Sequence, residues 1–265
     1  MEFSDIAYGS HERQKVDIFI PPNPKSDSGL ILFIHGGGWH DGDKKMHHHD
    51  CRHFYGLGYI CAAMNYRFVT EELSVFDELD DITYALKKVK EKCAENGYNI
   101  SRLILSGKSA GGHLSLMYAY KNKHKAPITP VAACVHCPPV NCAGNDFLFS
   151  ISGEFEDWKY ELLSKCCGYK LTKDTFLNKD EQAALRRISP EEYVSEECVP
   201  TAIFHGRHDD LVPIDHTFKL IDSLNKLKIK NDLIVYENSG HVLDQDPEAA
   251  EKANNIMKSY CETYL

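Results

Sequence analysis

The sequence predicts an α/β fold, a mostly parallel, doubly wound sheet of about eight strands flanked by helices, with a helical insertion late in the chain. Three observations lead there. Short apolar runs bounded by glycine or proline alternate with stretches that carry apolar residues at helical spacing. One run, Leu103 to Ser106, passes through Gly107-Lys108-Ser109-Ala110-Gly111 directly into a helical pattern. No linker, repeat or low-complexity stretch divides residues 1–265, which therefore read as one domain.

Phe3–Ala7 and Gln14–Ile20 are extended segments joined by a polar turn, a hairpin suited to a sheet edge. Leu30–Ile34 is five apolar residues in a row, a strand buried on both faces that delivers His35-Gly36-Gly37-Gly38-Trp39. The next helix carries His47, His48 and His49 and ends near Gly56 or Gly58. Adjacent helical residues point in different directions, so this triplet cannot close on one ion and reads as a solvated face.

Tyr59–Asn65 is another strand, and Val75–Cys93 a long helix with Leu79, Ile82, Leu86 and Val89 on one face. Arg102–Ser106 is the central strand, Ala110–Tyr120 its helix, and Pro130–His136 the next strand, stopped by Cys137-Pro138-Pro139. Thr201–His205, the helix Asp215–Leu227 and the strand Asp232–Tyr236 follow the same rhythm. Pro247–Tyr264 closes the chain as a helix, with proline in its first turn and Asp246 as the expected cap.

Residues 141–187 break that rhythm, because connections in such folds usually run to about 2–6 residues. Phe147, Phe149, Phe155, Trp158, Tyr160 and Tyr169 stand there among charges. The stretch reads as a helical cap whose apolar residues line a substrate pocket, or as a self-packed excursion.

A net charge of -9 argues against nucleic acid or an anionic membrane as partner and favours a small molecule. No apolar run approaches a membrane span, and Met1-Glu2-Phe3-Ser4-Asp5 has no leader character, so a cytoplasmic location is expected. The 10 cysteines follow no framework and read as reduced thiols. Cys134 and Cys137 form a C-x-x-C without a second pair at ligand spacing, so neither metal nor cofactor is called for.

Ser109 lies at a strand-to-helix corner flanked by Gly107 and Gly111, small residues that let the backbone turn and lift the hydroxyl above the sheet edge. The helix that follows directs free N–H groups at whatever that oxygen attacks. The three glycines after His35 present further bare N–H groups at a strand end, the donors an oxyanion needs. A serine also needs a base, and an imidazole serves best when a carboxylate fixes its tautomer. His241 and an aspartate at 209 or 210 supply these groups, and His113 competes for the base role from four residues beyond Ser109.

The residues His35-Gly36-Gly37-Gly38-Trp39, Asn65-Tyr66-Arg67, Gly107 to His113, His205-Gly206 with Asp209 and Val212-Pro213, and Gly240-His241 occur in an informative order. Through them nearly the whole chain resembles the esterase and lipase branch of the α/β-hydrolase superfamily, the group related to hormone-sensitive lipase and bacterial carboxylesterases. The resemblance implies the α/β-hydrolase fold and a serine carboxylic ester hydrolase that cleaves small, short-acyl esters of the acetyl type through an acyl-enzyme. It implies Ser109 as nucleophile, Asp209 as acid, His241 as general base, and Gly36, Gly37 and Ala110 as oxyanion-hole donors, with no cofactor.

Lys108 departs from the His, Asp, Glu or uncharged polar residue usual at its position and is expected to pair with a carboxylate. Amide cleavage of the kynurenine formamidase type and deacetylation of carbohydrates are alternatives within the superfamily. A non-catalytic binding protein of the same fold is an alternative from another class.

Overall fold

The structure, a computed structural model, describes all residues except 27, 144–155 and 174–177. Eight strands form one sheet among the described residues: β1 Glu2–Ala7, β2 Lys15–Phe19, β3 Gly29–Ile34, β4 Ile60–Met64, β5 Arg102–Lys108, β6 Thr129–His136, β7 Thr201–Gly206 and β8 Asn231–Tyr236. Their spatial order is β1-β2-β4-β3-β5-β6-β7-β8. β1 and β2 run antiparallel at one edge, as the expected hairpin, and all pairings from β4 to β8 are parallel.

Parallel pairing aligns the carboxyl ends of the central strands, with Ile34 beside Gly107, Gly107 beside Val135 and Gly206 beside Tyr236. Loops that leave these ends therefore converge on one edge of the sheet, where open α/β sheets place their ligands.

Alternate residues of each strand feed two cores. Leu30, Leu32 and Ile34 face α2 (Val75–Glu95), α3 (Ala110–Lys121) and α6 (Ile214–Lys226). Ile31 and Phe33 face α1 (His48–Gly56) and α7 (Pro247–Tyr264). Leu79, Ile82, Leu86 and Val89 form the buried stripe of α2, as their spacing predicts. α3 is buried on every side from Ala110 to Ala119, which holds the helix behind Ser109 rigidly.

Two helices occupy the described part of the 141–187 stretch, α4 (Glu156–Cys167) and α5 (Lys179–Arg186). Leu162, Leu163, Ala184 and Leu185 join the same core as α2 and α3. Tyr160 is buried, Trp158 and Tyr169 are partly exposed, and Phe147, Phe149 and Phe155 lie outside the described residues.

Two local expectations need correction. The histidine triplet is not a uniformly solvated face: His47 pairs with Asp50 at 2.7 Å and His48 with Asp17 at 2.7 Å, while His49 stays exposed. The buried carboxylate of Asp17 draws His48 inward, something helical spacing alone does not reveal. Asp246 precedes α7 but makes no side-chain cap, because its oxygens serve the loop after β8 instead. All 10 cysteines are buried as free thiols. Among the described residues, no helix is long and apolar enough to cross a membrane.

Candidate active site

Ser109 joins β5 to α3 in a left-handed backbone conformation, with φ 55° and ψ -123°. A non-glycine residue in such a conformation carries strain that its surroundings must hold. Here the Ser109 N–H donates to the His136 carbonyl at 2.8 Å, and its own carbonyl accepts the His113 N–H at 2.9 Å. The flanking glycines are required by contact: a Cβ on Gly111 would lie 2.0 Å from the Ile34 carbonyl oxygen, and one on Gly107 2.5 Å from Gly111.

The carboxyl ends of β7 and β8 supply an acid and an imidazole. Asp209 Oδ2 accepts from His241 Nδ1 at 2.7 Å and lies 3.2 Å from His205 Nε2. Its Oδ1 accepts the N–H groups of Leu211 at 3.1 Å and Val212 at 2.8 Å. Burial alone would raise the Asp209 pKa. Hydrogen bonds from His205, His241 and the Val212 N–H outweigh it, and the carboxyl is held well below the usual range. Asp210, the other aspartate open from the sequence, is exposed and does not take this place.

The loop that carries His241 is clamped from two sides. Asp246 accepts the Asn238 N–H at 3.0 Å and the Ser239 hydroxyl at 2.6 Å. Lys108 donates to the Val242 carbonyl at 2.9 Å, so its partner is a backbone oxygen rather than the expected carboxylate. This bond ties the residue before the serine to the residue after the histidine.

The glycine-rich loop after β3 packs on the elbow. A Cβ on Gly36 would sit 2.8 Å from the Lys108 carbonyl oxygen and 3.3 Å from Ser109 Cβ. Gly37 takes φ 111° and its carbonyl accepts the Asp41 N–H at 2.9 Å, which curls the loop on itself. His35 donates from Nδ1 to the Gly36 carbonyl at 2.7 Å and accepts Arg13 Nη2–H at Nε2, at 3.3 Å. Burial, with Arg13 nearby, lowers its pKa to about 4, consistent with a neutral ring. Arg13 also donates to the carbonyls of Tyr66 at 2.9 Å and Gly42 at 3.0 Å.

Together these elements bound a cavity of about 280 Å³. Ser109 and His241 line it with Gly37, Gly38, Trp39 and Pro139, and Trp158 and Leu162 of α4 close one side. Gly36 lies just behind this lining, and Ala110 is the first residue of α3, among whose leading N–H groups the helix leaves some unpaired.

His113 does not approach the cavity as a base. It is fully buried, accepts Trp39 Nε1–H at Nδ1 at 3.1 Å and donates from Nε2 to the Ile188 carbonyl at 2.6 Å. Burial lowers its pKa to about 4, which keeps both bonds intact at neutral pH.

Sequence reasoning gives no role in the site to Arg13, His205 or Cys137. Arg13 gives no signal, since it sits in a polar turn far upstream of the loop it braces. His205 stands at a strand end four residues before Asp209, which is a weak cue. Cys137 follows β6 with φ 44° and contacts the Asp209 carboxylate, and its sulfur lies 3.8 Å from the His241 carbonyl oxygen.

Comparisons with known proteins place the chain in a family. The family model described as BD-FAE matches residues 16–224. The chain belongs to the BD-FAE family. That match contains Ser109 and Asp209 and ends before His241. The chain is 25% identical over 253 residues to an Arabidopsis thaliana protein named as a probable isoprenylcysteine alpha-carbonyl methylesterase, covering 91% of this chain and 52% of that one. It is 28% identical over 245 residues to a probable carboxylic ester hydrolase, LipM, of Mycobacterium tuberculosis, covering 84% and 52%. The chain thus spans about half the length of the curated relatives it matches.

Among solved structures, esterase B from Lactobacillus rhamnosis aligns with a TM-score of 0.76 at 18% identity, covering 98% of this chain and 84% of that one. A Thermogutta terrifontis esterase aligns at 0.72 with 22% identity, covering 96% and 90%. The fold is that of the α/β-hydrolases, and the family lies in their esterase and lipase superfamily.

Proposed function

We propose that this BD-FAE family member is a serine carboxylic ester hydrolase acting on small esters with short acyl groups through an acyl-enzyme. The observation that carries the reading is one cavity lined by both Ser109 and His241, with His241 Nδ1 bonded to a carboxylate that is itself buried and held ionised. The relatives named as methylesterase and carboxylic ester hydrolase support the same class.

With its Nδ1–H engaged by Asp209, His241 presents Nε2 as the free base. Nε2 takes the Ser109 proton as Oγ attacks the ester carbonyl. The carbonyl oxygen becomes an oxyanion facing the N–H groups of Gly36, Gly37 and Ala110, each worth on the order of 3 kcal/mol in the transition state. Collapse of the tetrahedral intermediate expels the alcohol, which receives the proton from His241. Water activated by the same imidazole then releases the acid.

Asp209 remains anionic throughout and steadies the imidazolium. The short-acyl preference rests on the cavity of about 280 Å³, at or below the lower end for sites that take drug-sized ligands. In this reading residues 1–265 form one domain and the 141–187 stretch caps the site through Trp158 and Leu162.

A rate series on p-nitrophenyl esters from acetate to decanoate tests the reading. Turnover should fall with acyl length, and Ser109→Ala should lower kcat by at least about 10⁴ with an unchanged circular dichroism spectrum. Asp209→Asn should cost about 10⁴ by leaving His241 in the wrong tautomer. Retained turnover in Ser109→Ala, or no ester cleaved by the wild type, rules the reading out.

A further inference from the structure

Cys137 is one half of the C-x-x-C, yet its surroundings have nothing to do with that spacing. Cys134 points from β6 into the core beneath α7, whereas Cys137 lies past the strand end with Asp209 and His241. One ligand atom from each of Cys137, Asp209 and His241 lies within 4.8 Å of the other two. Thiolate, carboxylate and imidazole are together a zinc-type donor set. Around a tetrahedral ion such atoms stand roughly 3.3 to 3.8 Å apart, so His241 Nδ1 and Asp209 Oδ2, now bonded at 2.7 Å, part as the ion enters between them.

We propose that Cys137, Asp209 and His241 form a site for a thiophilic divalent cation, Zn²⁺ or Cd²⁺, whose occupation switches the enzyme off. One thiolate and one carboxylate neutralise the two positive charges of the ion, so the filled site carries no net charge. The exchange is balanced. The Cys137 thiol proton leaves to solvent, and the sulfur electron pair forms the metal bond. The His241 proton moves from Nδ1 to Nε2, and the Nδ1 lone pair binds the ion.

His205 and the N–H groups of Leu211 and Val212 already hold the Asp209 carboxylate, which orients it as outer partners orient a metal ligand. The His241 side chain is 17% exposed and lines the cavity, while Asp209 and Cys137 lie buried behind it, so an ion reaches the three donors by displacing the His241 ring. Inhibition follows from the tautomer: an imidazole bound through Nδ1 carries its proton on Nε2 and cannot accept one from Ser109. The site stands on geometry alone, while its inhibitory effect rests on the proposed ester hydrolysis.

The test uses tag-free, chelator-treated protein titrated with Cd²⁺ while thiolate-to-cadmium charge-transfer absorbance is recorded, for wild type, Cys137→Ala and the near-isosteric Cys137→Ser. One equivalent of cadmium per chain should produce the band in wild type and not in either variant. Cadmium should inhibit p-nitrophenyl acetate hydrolysis, reversibly with chelator, and its half-inhibiting concentration should rise roughly tenfold or more in Cys137→Ala. Absence of the band in wild type overturns the proposal whether or not the variants fold. An unchanged band in the variants, or equal inhibition of wild type and variants, overturns it as well. A band lost in both variants from a protein that cleaves no ester upholds the site and removes the esterase reading.

Discussion

Beneath the cavity lining, Gly36, Gly107 and Gly111 form a floor of positions where a methyl group would meet backbone at 2.8 Å or less. At its outer wall, Trp158 and Leu162 meet the same space with large side chains carried on α4, and Trp158 keeps 38% of its surface exposed. The floor is built by backbone packed on backbone, which admits one residue type and leaves a spacing that can be read in the chain. The wall is built by side chains resting on a docked helix, where many apolar residues would serve. Under the proposed function, chemistry sits where substitution is forbidden, and selectivity sits where it is tolerated.

Gly111→Ala should break the floor outright. Its Cβ would lie 2.0 Å from the Ile34 carbonyl oxygen, and β3 can withdraw only by giving up its pairing with β5. The expected loss exceeds about 4 kcal/mol, measured by urea unfolding, and hydrolysis should vanish with it. A variant that folds with wild-type stability would show that the elbow is looser than this packing demands.

His113 joins the two regions, since Trp39 belongs to the glycine-rich loop and Ile188 directly follows the 141–187 stretch. His113→Phe strands a buried N–H and a buried carbonyl and should destabilise by about 1–3 kcal/mol. Its pH signature separates this bond from mere packing. The folded-state pKa of His113 is depressed from 6.5 to about 4, so its stabilising effect is complete above pH 6.5 and is lost as pH falls towards 4.

His35 and His136 are depressed to about 4 as well. Wild-type stability should therefore decline across that window, and His113→Phe should decline less steeply while His35 and His136 keep some slope. Equal slopes in urea titrations of the two proteins would remove His113 from this role. Asp209 acts lower on the scale: its depressed pKa gives stability that is present above the unfolded carboxylate value of about 3.9 and lost below it.

Trp158→Ala should have the smallest effect on the fold, under about 1 kcal/mol for a side chain this exposed. It should raise the hydrolysis of longer acyl esters relative to acetate, mainly through KM. An unchanged ester ratio would place the selective wall elsewhere.

The strand and helix rhythm was legible because burial on both faces of a parallel sheet demands continuous apolar runs, and helices demand a stripe. The elbow and the glycine-rich loop were legible for the reason given for the floor. His241 stood out as a histidine just past the last strand, where the topology delivers it to the same edge as Ser109. None of these features needs knowledge of a distant partner.

Everything that depends on such a partner was decided by the tertiary structure. Adjacent aspartates look alike in the chain apart from the family resemblance that implies Asp209, and the docking of the loop after β8 is what turns Asp209 rather than Asp210 to the imidazole. Lys108 ends on the Val242 carbonyl, Asp246 on Asn238 and Ser239, and Arg13 on the loop of Gly42, each across separations that local pattern does not encode. The chain carries the constraints that act on the backbone of a single element. Long polar side chains find their partners only once those elements have packed, because their hydrogen bonds depend on angstrom-level placement of atoms remote in sequence.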